Sequence, residues 1–262
     1  MSATSDVFPM DSCKETYETD ACELSSVIIG AGLIAGTALA IIPAHVKMLS
    51  LRSADGVSTH TLLLTNVQQM LASWNMLVLK FPQVQMCHLN EPLCQCNLLA
   101  LYQTLVQWLF QVPLYYWCVH FATESDKKHL KSMWHIQLGL LLVGTAALIA
   151  WSTFSNCSWS LRLLASIFGY VSAMLNVVRL VPQIRTSCLH RGSGSISYRM
   201  YTLMSVGGLL NVYFQVFSSH ERLSTVVSTM VGNMMFFIVL FVCLYFDCCA
   251  RRRSEELISC ST

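Results

Sequence analysis

Charged side chains are scarce in this chain, at 11% of residues, where a soluble domain carries about 25%. None of the 14 carboxylates falls within the long apolar stretches, so the polar groups available there are amides and hydroxyls. Basic residues are nearly missing ahead of the first stretch, where Asp6, Asp11, Glu15, Glu18, Asp20 and Glu23 face a single Lys14. A cleavable secretion signal carries positive charge at that place. These shortages exclude an ordinary soluble domain. They also make the first apolar stretch a permanent membrane span behind a short acidic tail.

What the chain has in abundance is apolar length. Its residues are 54% apolar, gathered into seven runs: Ser25–Ile42, Ser58–Leu79, Leu98–Phe121, Met133–Trp151, Leu161–Val181, Tyr198–Phe217 and Thr225–Phe246. Runs of about 20 residues match the hydrocarbon thickness of a bilayer. The expectation is an all-α polytopic membrane protein with seven transmembrane helices. Loops after helices 1, 3, 5 and 7 hold Lys47, Arg52, Lys127, Lys128, Lys131, Arg185, Arg191, Arg199, Arg251, Arg252 and Arg253, whereas the opposite loops hold only Lys14, Lys80, Arg162 and Arg222. Basic loops stay in the cytosol, which puts the C-terminus there and the N-terminus across the membrane.

Cysteine usage agrees with that sidedness. Cys13, Cys22, Cys87, Cys94, Cys96 and Cys157 fall on the non-cytosolic side, where disulfides persist. Their pairing is not deducible from spacing. A zinc site around Cys94 and Cys96 is the alternative; a stapled loop is preferred, and no metal or cofactor is expected. Asn156–Cys157–Ser158 is a glycosylation sequon on the same side. Cys248 and Cys249, beside Arg251–Arg253, resemble a palmitoylation site, or are two apolar residues finishing a helix.

A shift of 139 residues superimposes Gly30 on Gly169, Pro43 on Pro182, Val57 on Ile196 and Ser58 on Ser197. Both windows hold an apolar pair, a proline, a basic stretch, then a branched aliphatic residue and a serine, at the same membrane depth and on the same side. On these residues the chain resembles the PQ-loop family, which includes lysosomal cystine exporters, SWEET sugar transporters and the KDEL receptor. The specific signal is Pro182–Gln183 with Ser197, matched more weakly by Pro43 with Gly56–Val57–Ser58. The first copy departs in having Ala44 where the motif has glutamine. Pro82–Gln83 lies on the wrong side and outside the repeat register, and is a decoy.

The resemblance implies two parallel three-helix bundles, helices 1–3 and 5–7, joined by linker helix 4. The organisation is then an acidic tail (1–24), a first repeat (25–121), a cytosolic loop with helix 4 and a non-cytosolic loop (122–160), a second repeat (161–246) and a cytosolic tail (247–262). In such parallel-repeat transporters the substrate binds near the midplane between the halves. Proline removes an amide hydrogen and clashes with the carbonyl four residues back. Pro43 and Pro182 therefore either hinge their helices or end them.

Intramembrane amides must find partners or face a wet cavity. Gln103, Gln107 and Gln111, at i, i+4 and i+8 of helix 3, are expected to line a substrate pathway with Asn66, Gln69, Asn176, Asn211 and Asn233. An amide donates and accepts hydrogen bonds, which suits a neutral polyhydroxyl or a zwitterionic solute; the competing role is interhelical glue. Arg179, one turn before Pro182, reads as snorkelling to the interface, with a carboxylate-holding role as the alternative. Cystine-exporter-like relatives carry acids just after the loop serine, where this chain has Thr59–His60 and Tyr198–Arg199. His60 is the candidate proton-linked residue, and facilitated diffusion is favoured.

The functional expectation is a transporter of a small polar metabolite, amino acid or sugar, in the bilayer of an endomembrane. The alternative is a cargo receptor or glycosylation-accessory protein of the same family. The duplicated motif argues against a rhodopsin-like receptor. Gly192–Ser193–Gly194–Ser195, without an evident His or Asp partner, reads as linker, so no enzyme activity is expected. No nucleic-acid partner is expected either, and oligomeric state is left open. Glu255–Glu256–Leu257–Ile258 resembles an acidic dileucine address to lysosome or vacuole, although Arg253 stands where such signals prefer an acid.

Overall fold

The computed structural model describes residues 24–52, 59–87, 95, 98–122, 124–155, 158–190, 198–218 and 221–259. They form seven helices: α1 (Leu24–Leu51), α2 (Thr59–Cys87), α3 (Leu99–His120), α4 (Glu124–Phe154), α5 (Trp159–His190), α6 (Tyr198–Tyr213) and α7 (Leu223–Ser259). A π-helical turn, Phe214–Ser218, continues α6.

The helices outrun the apolar runs. The first and fifth runs stop at Ile42 and Val181, just before Pro43 and Pro182, yet α1 continues to Leu51 and α5 to His190. Neither proline ends its helix. An apolar run measures the hydrocarbon layer, whereas the helix continues into the polar interface as long as its backbone bonds are made. α1 finally stops at Arg52, whose φ of 47° is the left-handed conformation that ends many helices.

The molecule is apolar outside and polar within. Leu142, Val143, Met174 and Phe241 are at least 62% exposed. Asn66, Gln68, Gln69, Asn75, Gln103, Asn176, Gln215 and Asn233 are buried. Exposed apolar surface on that scale marks contact with lipid, and the buried amides obey the rule that polar groups in a bilayer face the interior. This is an integral membrane protein. By length and composition alone, α1, α4, α5 and α7 suffice to cross a membrane. The other three fall short because α2 and α3 carry the amides and α6 has only 16 residues before its π-turn.

Each three-helix contact set follows the same order: α1 lies on α3 and α3 on α2, while α5 lies on α7 and α7 on α6. The residue contacts repeat too. A side chain at Gly30 would meet Leu99 of α3 and Phe214, and one at Gly169 would meet Ser224 at the head of α7 and Asn75 of α2. The 139-residue shift carries Gly30 onto Gly169 and also Asn75 onto Phe214. Small residues at such crossings let helix backbones approach in a membrane, where dispersion contacts replace the hydrophobic drive.

The two seams between these sets are unequal. α2 lies against α5 along much of its length, whereas α1 and α6 touch only briefly. α4 rests on the outside of α2 and α3, held by Trp74 Nε1 donating to Thr145 Oγ1 at 2.9 Å and by Tyr115 against Trp134, ring centroids 5.7 Å apart.

Candidate functional site

A cavity of about 520 Å³ lies at the centre of the molecule, lined by α1, α2, α3, α5, α6 with its π-turn, and α7, and by nothing from α4. Its volume is that of a small-molecule site, about 300–1,000 Å³. Its wall at the proline end is set by Ile41 of α1 and Arg179 of α5, two and three residues short of Pro43 and Pro182. A proline has no amide hydrogen to donate, so the cavity ends next to the two places where α1 and α5 lack a backbone hydrogen bond.

The polar lining is part bonded and part open. Gln68 Nε2 donates to Ser172 Oγ at 3.0 Å, and Ser172 Oγ lies 3.0 Å from Ser228 Oγ. Asn75 Nδ2 donates to Thr225 Oγ1 at 2.9 Å, and Asn176 Nδ2 to the Ser228 carbonyl at 3.3 Å. These bonds tie α2 to α5 and α7. Gln103 Nε2 reaches Thr37 Oγ1 at 3.5 Å. That pair is the counterpart of Asn176 with Ser228, since Thr37 shifts by 139 onto Asn176 and Gln103 stands to Ser228 as Leu99 to Ser224. The counterpart of the Gln68–Ser172 bond is Gly207 with Leu33, which has no hydrogen bond to make. Both line the cavity, so the open volume lies where the symmetric polar bond is missing.

Gln103, Gln107, Gln69, Asn176, Asn211 and Asn233, all expected on a pathway, line the cavity. Asn66 and Gln111 are not among its lining residues. Asn66 is fully buried and donates to the carbonyls of Leu62 at 3.1 Å and Gln111 at 3.3 Å, a glue contact between α2 and α3. Residues four apart drift about 40° per step on a helix of 3.6 residues per turn. Gln111 is therefore about 80° around from Gln103 and turned out of the cavity. Pro113 sits inside α3. The turn ahead of it is held from both sides, by Asn66 of α2 and by His45 of α1, whose Nε2 lies 2.8 Å from the Phe110 carbonyl.

Sequence reading passed over Thr37, Thr104, Thr225, Ser228 and Thr229, which also line the cavity; short hydroxyl side chains give no signal without the helix register. Arg179 does not snorkel. It is 6% exposed, lines the cavity, and its guanidinium carbon lies 5.6 Å from the Phe236 ring centroid. Among the motif residues, Pro43, Pro182 and Gln183 are placed by their helix backbones, and His60 by the first turn of α2. Gly56, Ser58, Ser197, Asn156, Cys13, Cys22, Cys94, Cys96 and Cys157 lie outside the described residues, and Cys87 is described only as the last residue of α2.

A family model for the PQ loop repeat matches residues 164–224, from α5 through α6 to the head of α7. Residues 164–224 are thus similar to a PQ-loop repeat. The match includes Pro182, Gln183 and Ser197, the residues on which the resemblance rested. A solved structure of a eukaryotic SWEET transporter superimposes with a TM-score of 0.55, covering 85% of this chain and 95% of that one at 11% identity. The chain thus has a SWEET-like fold. An uncharacterised protein of Schizosaccharomyces pombe is 26% identical over 267 aligned positions, covering 91% of this chain and 85% of the relative.

Proposed function

We propose that this protein transports a small polar metabolite across an endomembrane, by facilitated diffusion or with weak proton coupling, through the central cavity. The observation that carries the reading is the cavity itself: lined by six helices, rich in amides and hydroxyls, and set between the two contact sets of a SWEET-like fold. In this reading α1–α3 and α5–α7 are the two parallel bundles, α4 is the linker, and Pro43 and Pro182 are the paired hinges. The acidic dileucine-like tail supports a lysosomal or vacuolar address.

Purified protein in proteoliposomes is expected to accelerate uptake of a labelled amino acid, organic acid or sugar over empty vesicles. Binding without flux would instead favour a receptor role. Gln107 is the sharpest probe, because it lines the cavity and its amide makes no hydrogen bond to another helix among the described residues. Gln107→Leu removes a donor and an acceptor at nearly constant size. A neutral hydrogen bond contributes about 0.5–1.5 kcal/mol, so flux should fall about two- to tenfold while thermal stability holds. Lost stability in step with lost flux would make Gln107 glue.

Sidedness has its own expected result. Epitope tags at positions 4 and 260 should be reached from opposite faces of the membrane when cells are selectively permeabilised. Both tags on the cytosolic face would end the seven-span arrangement.

A further inference from the structure

A glycine inside a helix is destabilising relative to alanine, so it needs a reason to be there. Gly30, Gly144, Gly169, Gly208 and Gly232 have one, since a Cβ at each would press on a neighbouring side chain. Gly32 and Gly36 of α1 and Gly207 of α6 do not: a Cβ at any of them meets nothing within 4 Å. All three line the cavity. The residues related to them by the 139-residue shift are Val171 and Leu175 of α5 and Gln68 of α2. One half keeps side chains where the other is cut back to bare backbone. Glycine serves in this way where a ligand comes close to the main chain.

The cleft so made between α1 and α6 opens into hydrocarbon. Gly32 and Gly36 lie near the middle of the apolar run Ser25–Ile42, and Gly207 near the middle of Tyr198–Phe217. Leu203, Val206 and Leu210 line the cavity and are also at least 51% exposed, so the cavity continues between the two helices to the lipid-facing surface. At its inner end stand amide oxygens that lack a donor. Asn176 Nδ2 is engaged by the Ser228 carbonyl, and its Oδ1 makes no hydrogen bond. Asn233 Oδ1 makes none either, and it lies against Gly208, next to Gly207. The two side chains are 4% and 6% exposed and both line the cavity. Hydrocarbon offers no hydrogen bond to such groups. An alkyl chain alone suits the cleft and not these acceptors, whereas a polar solute alone suits the acceptors and not the cleft.

We propose that the cavity and the α1–α6 cleft together form a binding site for a membrane amphiphile. Its uncharged, hydroxyl-bearing head donates to Asn176 and Asn233, and its single alkyl chain passes between Gly32, Gly36 and Gly207 into the bilayer. The head is uncharged because bringing a charge to that depth is costly, and hydroxyls are the uncharged groups that supply donors there. The site shares its cavity with the transport reading, which it extends from free polar metabolites to those carrying a chain, but binding does not depend on flux.

The test places the full-length protein in phosphatidylcholine nanodiscs with a monoacylglycerol bearing a photoreactive diazirine in its chain, and maps the labelled peptides by mass spectrometry. Label is expected to concentrate on α1 and α6. Unlabelled monoolein should compete about tenfold better than methyl oleate, which has the chain but no donor. Gly36→Leu and Gly207→Leu each fill the cleft and should cut the label on α1 and α6 several-fold. Gly139→Leu should leave it unchanged, because a Cβ at Gly139 of α4 also meets nothing but α4 does not line the cavity. Label spread evenly over the lipid-facing helices, α4 included, overturns the proposal, and so does equal competition by methyl oleate; neither result needs a variant to fold. Undiminished label on α1 and α6 in monodisperse Gly36→Leu and Gly207→Leu proteins overturns it as well. Proteoliposome flux separates the two readings. Label specific to α1 and α6 without flux of any soluble metabolite sinks transport of free solutes and leaves the site, while flux without such label sinks the site and leaves transport.

Discussion

Replacing Lys80 by alanine is expected to lower the stability of the protein by about 3–5 kcal/mol. Lys80 Nζ lies 2.8 Å from Glu221 Oε1, and the two side chains are 9% and 2% exposed. The pair joins the end of α2 to the residues leading into α7, at the opposite end of the cavity from Pro43 and Pro182. Glu221 is itself fixed from the backbone, its N–H donating to the Gln215 carbonyl at 2.8 Å, so it has little freedom to turn toward water. Removing the ammonium leaves a buried carboxylate without its main counter-charge. Removing both charges costs far less, because the desolvation of each ion disappears with it. Lys80→Met with Glu221→Leu should therefore recover most of the loss suffered by Lys80→Ala. Unfolding in detergent micelles measures both. A loss under about 1 kcal/mol, the range of exposed ion pairs, would show that water reaches this pair.

Gly169→Val should be the other large effect. A Cβ there would lie 3.0 Å from Asn75 Nδ2, 3.0 Å from Ser224 Cβ and 3.2 Å from the Ser224 carbonyl. The last of these belongs to backbone, which cannot rotate away. Valine adds branching on top of the Cβ, so α5 must draw back from α2 and α7 together, breaking the Gln68–Ser172 and Asn176–Ser228 bonds. Overpacking alone costs about 1–3 kcal/mol, and two lost buried hydrogen bonds bring the expected total to about 3 kcal/mol or more. Gly207→Val is the matched control, since a Cβ at Gly207 meets nothing within 4 Å. It should leave stability nearly unchanged and act on flux. Equal destabilisation by both would mean that the α1–α6 side is as closely filled as the α2–α5 side.

The parts of this molecule legible in its sequence are those written in patterns longer than one helix turn. Seven apolar runs gave seven helices, and the shift from Gly30 to Gly169 returned as equivalent helix crossings. Helix ends were not legible, because apolar length follows the bilayer and the backbone of α1 passes through Pro43 for two further turns. The amides illustrate the limit at finer scale. Gln103 and Gln107 line the cavity while Gln111 turns away, a difference of angular drift that a list of residue types conceals. Arg179 was misjudged because its distance from the helix end permitted snorkelling. Only the packing of α7 beside α5, with Phe236 against the guanidinium, puts it inside. Lys80 and Glu221 are 141 positions apart with no motif to link them, and the ion pair becomes visible only when α2 and α7 are brought together.

The unequal seams make the protein work like a bound book. The spine is α2 against α5, stitched by Gln68 and Ser172. The fore-edge is α1 against α6, where Leu33 and Gly207 offer nothing to stitch. A change in the volume between the covers would start most readily at the fore-edge, where the two helices touch least. Val206 and Leu210 stand at that margin, lining the cavity yet about half exposed. The lateral pressure of the surrounding lipid thereby becomes one of the forces that set how far the book stands open.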